Sequence, residues 1–170
     1  MMCQFIEWTP PAQWLIVNLV IQVGQGRGDM TQPAPPPRTL PAIDPDNRAY
    51  WTRGRDGVLA IFKCHSCHAY VHPPVPFCPA CDTVAVSPQA VSGRGTVVTF
   101  TVNHKQWVPG LPVPYVLALV ALEEAPEVRL VANITHCDPA EVTFGMAVEV
   151  WFEPAEDLWI PQFRPARSAA

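Results

Sequence analysis

Charged side chains are scarce in this sequence. Asp, Glu, Lys and Arg make up 15% of the 170 residues, against about 25% in typical soluble domains. Lys and Arg number only 11, and the formal net charge at pH 7 is −4. Since nucleic-acid-binding proteins normally carry a basic face, this balance disfavours that class. The acidity is concentrated at the C-terminal end, where residues 123–170 hold nine Asp and Glu against three Arg.

Long apolar runs are also missing. The nearest candidate, WLIVNLVIQVG at 14–24, is shorter than the ~20 residues of a transmembrane helix. A secretory signal would need Lys or Arg before this run, where Glu7 stands instead. We therefore expect a cytoplasmic protein. Residues 1–43 are expected to be a disordered or non-native extension with a Pro-rich tail, with Met30 as the functional start, and 167–170 a second tail.

Catalytic motifs are absent as well. The sequence has no Gly-x-Ser-x-Gly elbow, no P-loop and no dinucleotide fingerprint. His104 and His136 stand alone, Cys3 is unpaired, and Cys137 follows an apolar segment that favours burial over reactivity. We predict no catalytic residues in this chain.

Proline is abundant, with 21 residues, which argues against long helices and favours short strands joined by rigid turns. One short helix is expected within 44–57, because Asp44 can cap it and Pro45 fits its first position. Tyr50 and Trp51 would supply its apolar contacts.

The C-terminal half has the pattern of a small β-barrel. A helical turn capped by Asp138 is expected between the third and fourth strands, an order that suits the five-stranded OB-fold barrel. We place this barrel at 84–166. Its fourth strand alternates, so Val148 should face inward and Glu149 outward. The last strand contains prolines and is expected at an edge. The five predicted strands are 95–102, 115–122, 128–135, 146–153 and 158–165.

Four cysteines form the most specific motif. Their spacing is C-x2-C-x10-C-x2-C, preceded by the apolar strand 58–64, and we place the whole module at 58–83. Two such pairs can complete a tetrahedron of four thiolates around one ion. Disulfides are disfavoured because nothing in the sequence indicates secretion. A redox Cys-x-x-Cys pair is also disfavoured, because it normally occurs once, near a βαβ unit that this sequence lacks. We predict structural zinc, with iron as the less favoured alternative. The predicted ligands are Cys64, Cys67, Cys78 and Cys81.

The histidines of the module invite a different hypothesis, a catalytic metal. A hydrolytic zinc keeps one position open for water, and four cysteines leave none. We therefore expect His65, His68 and His72 to be surface or hydrogen-bonding residues. His68 and Asp82 each follow the second cysteine of a pair, a position that often needs a left-handed backbone.

Tryptophans are candidates for an interface. Trp107 lies in a Pro-rich loop between the first two barrel strands, where it could serve recognition or cover the mouth of the barrel. Trp151 and Trp159 could take part in an interface or pack within the barrel.

The order of these pieces resembles one family, the OB-fold proteins with an N-terminal rubredoxin-like zinc ribbon, which are acyl-CoA-associated partners of thiolases. The resemblance covers about 44–166 and leaves the N-terminal segment outside. The family often has Gly where His68 and Asp82 stand, but all four thiols are present. Matching segments are DNRAYW at 46–51, FKCHSC at 62–67, PPVPFCPAC at 73–81, SGRGTVVTFT at 92–101, PYVLALVAL at 114–122, VANITHCDPAEVTFGMAVEVWF at 131–152 and FRP at 163–165.

This resemblance implies a mainly β protein: a short helix, a zinc ribbon and an OB barrel. It also implies a non-catalytic accessory subunit that docks on a thiolase-fold or aldolase-type enzyme, sometimes with a hydratase-like subunit. Such complexes act on acyl-CoA thioesters by acyl transfer, condensation or retro-aldol cleavage, a part of lipid metabolism. The zinc would be structural, and the partner would supply the catalytic residues.

Two other functions stay open. OB barrels can bind single-stranded nucleic acid through basic grooves and stacking aromatics, but residues 84–122 carry only Arg94 and Lys105 as cations. The chain could also bind acyl-CoA alone or act as a free-standing enzyme, which turnover by the purified protein would reveal.

Overall fold

A computed structural model describes residues 39–107 and 111–167. The expectations for most of the N-terminal extension, including Met30 and Cys3, and for 168–170 lie outside the described residues. None of the helices in the described part of the chain has the length and apolarity needed to span a bilayer.

The strands form two sheets. The first has three antiparallel strands in the order β2-β1-β3, and the second is a closed five-stranded barrel in the order β4-β5-β6-β8-β7. The predicted barrel is thereby confirmed, together with the helical turn between its third and fourth strands. The strands are β1 (Leu59–Cys64), β2 (Tyr70–Val71), β3 (Val86–Val91), β4 (Arg94–Asn103), β5 (Tyr115–Leu122), β6 (Arg129–Ile134), β7 (Ala147–Ala155) and β8 (Leu158–Pro165).

The helical turn between β6 and β7 is a 3₁₀ helix, Pro139–Glu141. Its cap is the predicted one, because the Asp138 side chain accepts a hydrogen bond from the Ala140 amide at 2.9 Å. The Glu141 carboxylate in turn accepts from the Asp138 amide, which completes a reciprocal capping box.

The N-terminal helix begins later than predicted. Helix α1 spans Arg48–Thr52, and a 3₁₀ turn, Arg53–Asp56, continues it to Gly57, whose φ is 72°. Asp44 caps the preceding turn instead, since its Oδ1 accepts from the amides of Asp46 and Asn47. This local bonding competes with helix formation around Pro45.

Two further expectations about strands are corrected. Strand β3 was not predicted, because Pro88 interrupts its pattern, yet it pairs with β1 along its whole length. Strand β8 was expected at an edge, which is wrong: it lies between β7 and β6 in the barrel. Its prolines are tolerated because the parallel pairing with β6 is a single bridge at Phe163, away from Pro161 and Pro165.

One core connects the helix, strand β1 and the barrel. Tyr50, Leu59 and Ile61 belong to the same cluster of buried side chains as Val120, Val148 and other barrel residues. The ribbon end has its own small cluster, which consists of Phe62, Cys64, Val71 and Cys78. Strand β1 thus contributes to both cores.

The 3₁₀ turn after α1 packs closely on the barrel at Gly54. A Cβ atom there would lie 2.5 Å from the Phe152 ring and 2.5 Å from Trp159 Cβ. We expect Gly54→Ala to lower the free energy of unfolding by about 1–3 kcal/mol through overpacking, measured by urea denaturation. Gly57→Ala is the matched control: nothing lies near its Cβ, so only the cost of positive φ, about 1 kcal/mol, should appear. A smaller loss at Gly54 than at Gly57 would contradict this packing.

Candidate metal centre

Two turns with the same hydrogen bonds present the four cysteines in the same way. In the first, the Cys64 amide donates to the Ala69 carbonyl and the His68 amide to the Cys64 carbonyl. In the second, the Cys78 amide donates to the Thr83 carbonyl and the Asp82 amide to the Cys78 carbonyl. This repeated bonding orients both cysteines of each pair toward the other pair.

The predicted left-handed positions are confirmed. The φ angles are 64° at His68 and 55° at Asp82. This conformation is uncommon outside glycine but is tolerated best by Asn, Asp and His. His68 and Asp82 are therefore compatible with these turns, although the family often has Gly at both positions.

The turns bring all four sulfur atoms together. The Sγ atoms of Cys64, Cys67, Cys78 and Cys81 all lie within 4.8 Å of one another, the single such group of metal-ligating side chains in the described residues. Two of the separations are 3.7 Å, from Cys64 to Cys81, and 3.6 Å, from Cys67 to Cys78. Metal–sulfur bonds of about 2.3 Å in a tetrahedron give sulfur–sulfur edges of roughly 3.8 Å. The cluster therefore fits a tetrahedral metal ion.

The charges around the sulfurs also suit a cation. The amides of Cys67 and Ser66 donate to Cys64 Sγ at 3.4 and 3.3 Å and lower the pKa of that thiol to about 6. Contact with the Cys67 sulfur is the main cause that raises the pKa of Cys81 to about 12. The Cys64 thiol thus ionises readily while the raised pKa values of Cys67 and Cys81 oppose ionisation, so a bound cation would be needed to hold four thiolates together.

The three histidines of the module take other positions. His65 and His68 are exposed, and His65 Nε2 lies 2.8 Å from Ser87 Oγ. His72 packs against Tyr50, with ring centroids 5.0 Å apart. His65 and His68 thus take the expected surface and hydrogen-bonding positions, whereas the expectation for His72 is wrong, because this ring is packed against Tyr50 and its buried Nδ1 has no hydrogen-bond partner among the described residues.

His72 makes the stability of the fold dependent on pH. Burial lowers its pKa from 6.5 to about 4, and its Nδ1 has no hydrogen-bond partner among the described residues. The unfolded chain therefore binds more protons than the native chain between these two values. The contribution of His72 to the free energy of unfolding should be constant above pH 6.5 and fall by about 3 kcal/mol as the pH drops to 4.

This dependence can be isolated with His72→Phe, which keeps a ring against Tyr50. The unfolding free energies of wild type and variant are measured by urea denaturation at several pH values. Their difference should change by about 3 kcal/mol between pH 6.5 and 4, while acid effects on the cysteines cancel. Parallel curves would show that His72 does not titrate in this range.

Three isolated residues were considered as a nucleophile or a base: Cys137, His136 and His104. Burial, followed by the charges of Glu141 and Asp138, raises the pKa of the Cys137 thiol, so it stays protonated. His136 Nδ1 lies 3.0 Å from Thr135 Oγ1, and its ring meets Trp151 edge-on. His104 is exposed.

The tryptophans divide between packing and exposure. Trp151 is half-buried and donates from Nε1 to Thr135 Oγ1 at 2.8 Å. Trp159 is half-buried beside Gly54. Trp107 is 65% exposed. Its indole contacts Asn103 through a hydrogen bond and Lys105 through a cation–π interaction, and neither contact was predicted, because nothing in the sequence indicates which loop residues contact each other.

Fold and site together define a four-cysteine ribbon joined to an OB-fold barrel. The family described as "ChsH2, C-terminal OB-fold domain" matches residues 88–153. A solved structure described as "Ltp2-ChsH2(DUF35) aldolase" is 35% identical, with a TM-score of 0.68, and the match covers 75% of this chain and 100% of that chain. A "DUF35 domain-containing scaffold protein" of Pyrococcus furiosus is 36% identical over 104 residues, 59% of this chain and 74% of the relative.

The chain therefore belongs to the DUF35 family of OB-fold proteins. It is also 37% identical over 146 residues to the "3-oxo-4,17-pregnadiene-20-carboxyl-CoA hydratase alpha subunit" of Mycobacterium tuberculosis, a match that covers 79% of this chain and 46% of that subunit. The chain spans less than half the length of the hydratase alpha subunits that it matches.

Proposed function

We propose that this chain is a non-catalytic accessory subunit of an enzyme complex that acts on acyl-CoA thioesters. The observation that carries the proposal is the match to the whole of one chain in the "Ltp2-ChsH2(DUF35) aldolase" at 35% identity. That description pairs a DUF35 chain with a second protein. The partner proposed here is a thiolase-fold or aldolase-type subunit, and a hydratase-like subunit is the proposed third component.

The acyl-CoA substrate class is supported by the relatives' names. The two hydratase alpha subunits are described as acting on enoyl-CoA and on a pregnadiene-carboxyl-CoA. We extend only the shared chemistry, a CoA thioester, to the complex of this chain. Acyl transfer, condensation and retro-aldol cleavage are the proposed reactions, and the partner's residues would perform them.

The proposed cofactor is one zinc ion bound by Cys64, Cys67, Cys78 and Cys81. Sulfur separations of 3.6 and 3.7 Å match the edges of a zinc–thiolate tetrahedron. Zinc would cross-link the two turns and supply folding free energy to a ribbon with only four residues in its buried cluster. A complete set of four thiolates leaves no ligand position for water, so the role is structural. The four cysteines are free thiols although their sulfur atoms are close together. Closely spaced thiols stay reduced in the cytoplasm, so we propose a cytoplasmic location.

Complex formation tests the accessory role. The full chain is mixed with Ltp2, the second protein named with the related DUF35 chain, and analysed by size-exclusion chromatography with light scattering. We expect a complex whose mass equals the sum of its components, with about one zinc per chain of this protein by elemental analysis. A chain that elutes apart from Ltp2 at all concentrations would remove the main support for the proposal.

A further inference from the structure

One face of the barrel carries outward side chains in register across three strands, apolar in β5 and β6 and threonine in β4. In β5, alternate residues are buried in the core, so Leu117 and Leu119 point outward. Leu119 pairs with Thr99 of β4 on one side and with Val131 of β6 on the other. The hairpin face is defined here as the outward side chains Thr99, Thr101, Leu117, Leu119 and Val131, with Trp107 beyond them.

The apolar side chains of the hairpin face have large exposed fractions. Val131 is 63% exposed and Leu117 is 39% exposed. Threonines 99 and 101 are exposed beside them. Leu117, Leu119 and Val131 thus form a contiguous apolar cluster on two neighbouring strands, and contiguous exposed apolar surface marks interaction sites.

Trp107 extends the face at the end of the β4–β5 hairpin. Its Nε1 donates to Asn103 Oδ1 at 3.0 Å, and Asn103 pairs with Tyr115 at the start of β5. Lys105 Nζ lies 4.2 Å from the centroid of the indole ring. Gln106 donates to the Leu111 carbonyl and braces the loop. The indole is thus held in place while 65% exposed, which lowers the entropic cost of using it as an anchor.

Charge is unevenly distributed around this face. Residues 95–122 contain no Asp or Glu, whereas 123–170 contain nine. Lys105 lies at one end of the face, and Arg129 lies at the other, where it pairs with Ala121 of β5. The face is therefore apolar in the middle and cationic at the Trp107 end, whereas Arg129 shares the other end with the exposed Glu123, Glu124 and Glu127 of the β5–β6 turn.

We propose that the hairpin face is the docking surface for the partner subunit, an inference that rests on the proposed function. The complementary surface is a protein pocket of aliphatic and aromatic side chains that receives Trp107, with a carboxylate at the rim opposite Lys105. Charges at the rim orient the encounter, while the apolar centre supplies the affinity. Single-stranded nucleic acid fits less well, because it needs a continuous basic groove with several stacking aromatics.

A pair of matched substitutions tests the surface. Val131→Glu places a carboxylate in the middle of the face, and Val84→Glu makes the same change on the ribbon, where Val84 is 80% exposed. Both positions are exposed, so melting temperatures should stay close to that of wild type. Binding to purified Ltp2 is measured by titration calorimetry. We expect Val131→Glu and Trp107→Ala each to weaken binding at least tenfold, and Val84→Glu to leave it unchanged. Lys105→Glu should also weaken binding and reduce its dependence on salt.

The outcomes separate this inference from the proposed function. If wild type binds Ltp2 and Val131→Glu loses no more affinity than Val84→Glu, the docking surface is wrong and the accessory role stands. If wild type does not bind Ltp2, both are overturned. Two further measurements complete the test: binding of a (dT)20 oligonucleotide to the chain, and self-association of the chain alone by analytical sedimentation. Binding of the oligonucleotide, or self-association, that Val131→Glu abolishes would assign the face to nucleic acid or to a second copy and overturn the proposal.

Discussion

Cys78→Ser should purify with less than one tenth of the wild-type zinc and without a folded ribbon. Cys78 is fully buried, and its sulfur lies 3.6 Å from that of Cys67. Structural zinc contributes about 10–16 kcal/mol in small zinc-finger peptides, which exceeds the stability that a cluster of four buried residues could provide by itself. Removing one thiolate should therefore unfold the module rather than weaken it slightly.

Unfolding of the ribbon in Cys78→Ser should also destabilise the barrel. Strand β1 ends at Cys64 and carries Leu59 and Ile61 into the main core. When the ribbon unfolds, part of this burial is lost, so the melting temperature should fall by more than 10 °C, on the basis of about 4–8 °C per kcal/mol for small domains. The measurements are elemental analysis and thermal denaturation followed by circular dichroism.

Cys137→Ser is the matched control. Cys137 is half-buried outside the metal cluster, so the variant should keep one zinc and lose at most about 1 kcal/mol. Chelation of wild type should reproduce Cys78→Ser. If Cys78→Ser retained full zinc content and the wild-type melting temperature, the four-cysteine site would not be the structural centre of the ribbon.

Val148→Asp should prevent the barrel from folding. Val148 is 1% exposed and lies opposite Gly95 in the pairing of β7 with β4. Space there is already limited, because a Cβ at Gly95 would collide with the Ala121 carbonyl oxygen. An unpaired carboxylate in this core costs several kcal/mol, a large fraction of the 5–15 kcal/mol typical of a whole domain. We expect insoluble or unfolded protein by circular dichroism.

Glu149→Ala, one residue along the same strand, is the control for the register. Glu149 faces outward and pairs with Arg164, with an Nε–Oε1 distance of 2.9 Å. Partly exposed ion pairs contribute little, so the variant should lose about 1 kcal/mol or less. A folded Val148→Asp together with an unfolded Glu149→Ala would mean that the strand is displaced by one residue.

Features encoded by local sequence were predictable. Spacing fixed which cysteines converge, because each pair is closed by its own turn. The run 115–122 matches strand β5 at both ends, since an apolar segment between turn residues leaves few alternatives. The Asp138 cap was also local, because its bonding partners lie within three residues.

Features that depend on distant contacts were not predictable. Strand β3 contains Pro88 and becomes a strand only because β1 pairs with it. The start of α1 depended on competition between Asp44 and the helix for the same amides. The contact of His72 with Tyr50 joins two elements, so the lowered pKa of His72 could not be inferred from the residues beside it. The hairpin face likewise needs the pairing of Leu119 with Val131.

A reconstituted turnover assay tests the central claim most directly. Thiolysis, condensation and retro-aldol cleavage of acyl-CoA substrates are measured with the chain alone, with the thiolase-fold or aldolase-type partner alone, and with both. The account predicts no turnover by the chain alone and a gain of at least tenfold when it is added to the partner. Turnover by the chain alone that survives repurification and disappears in Cys137→Ser or His104→Ala would contradict the accessory role.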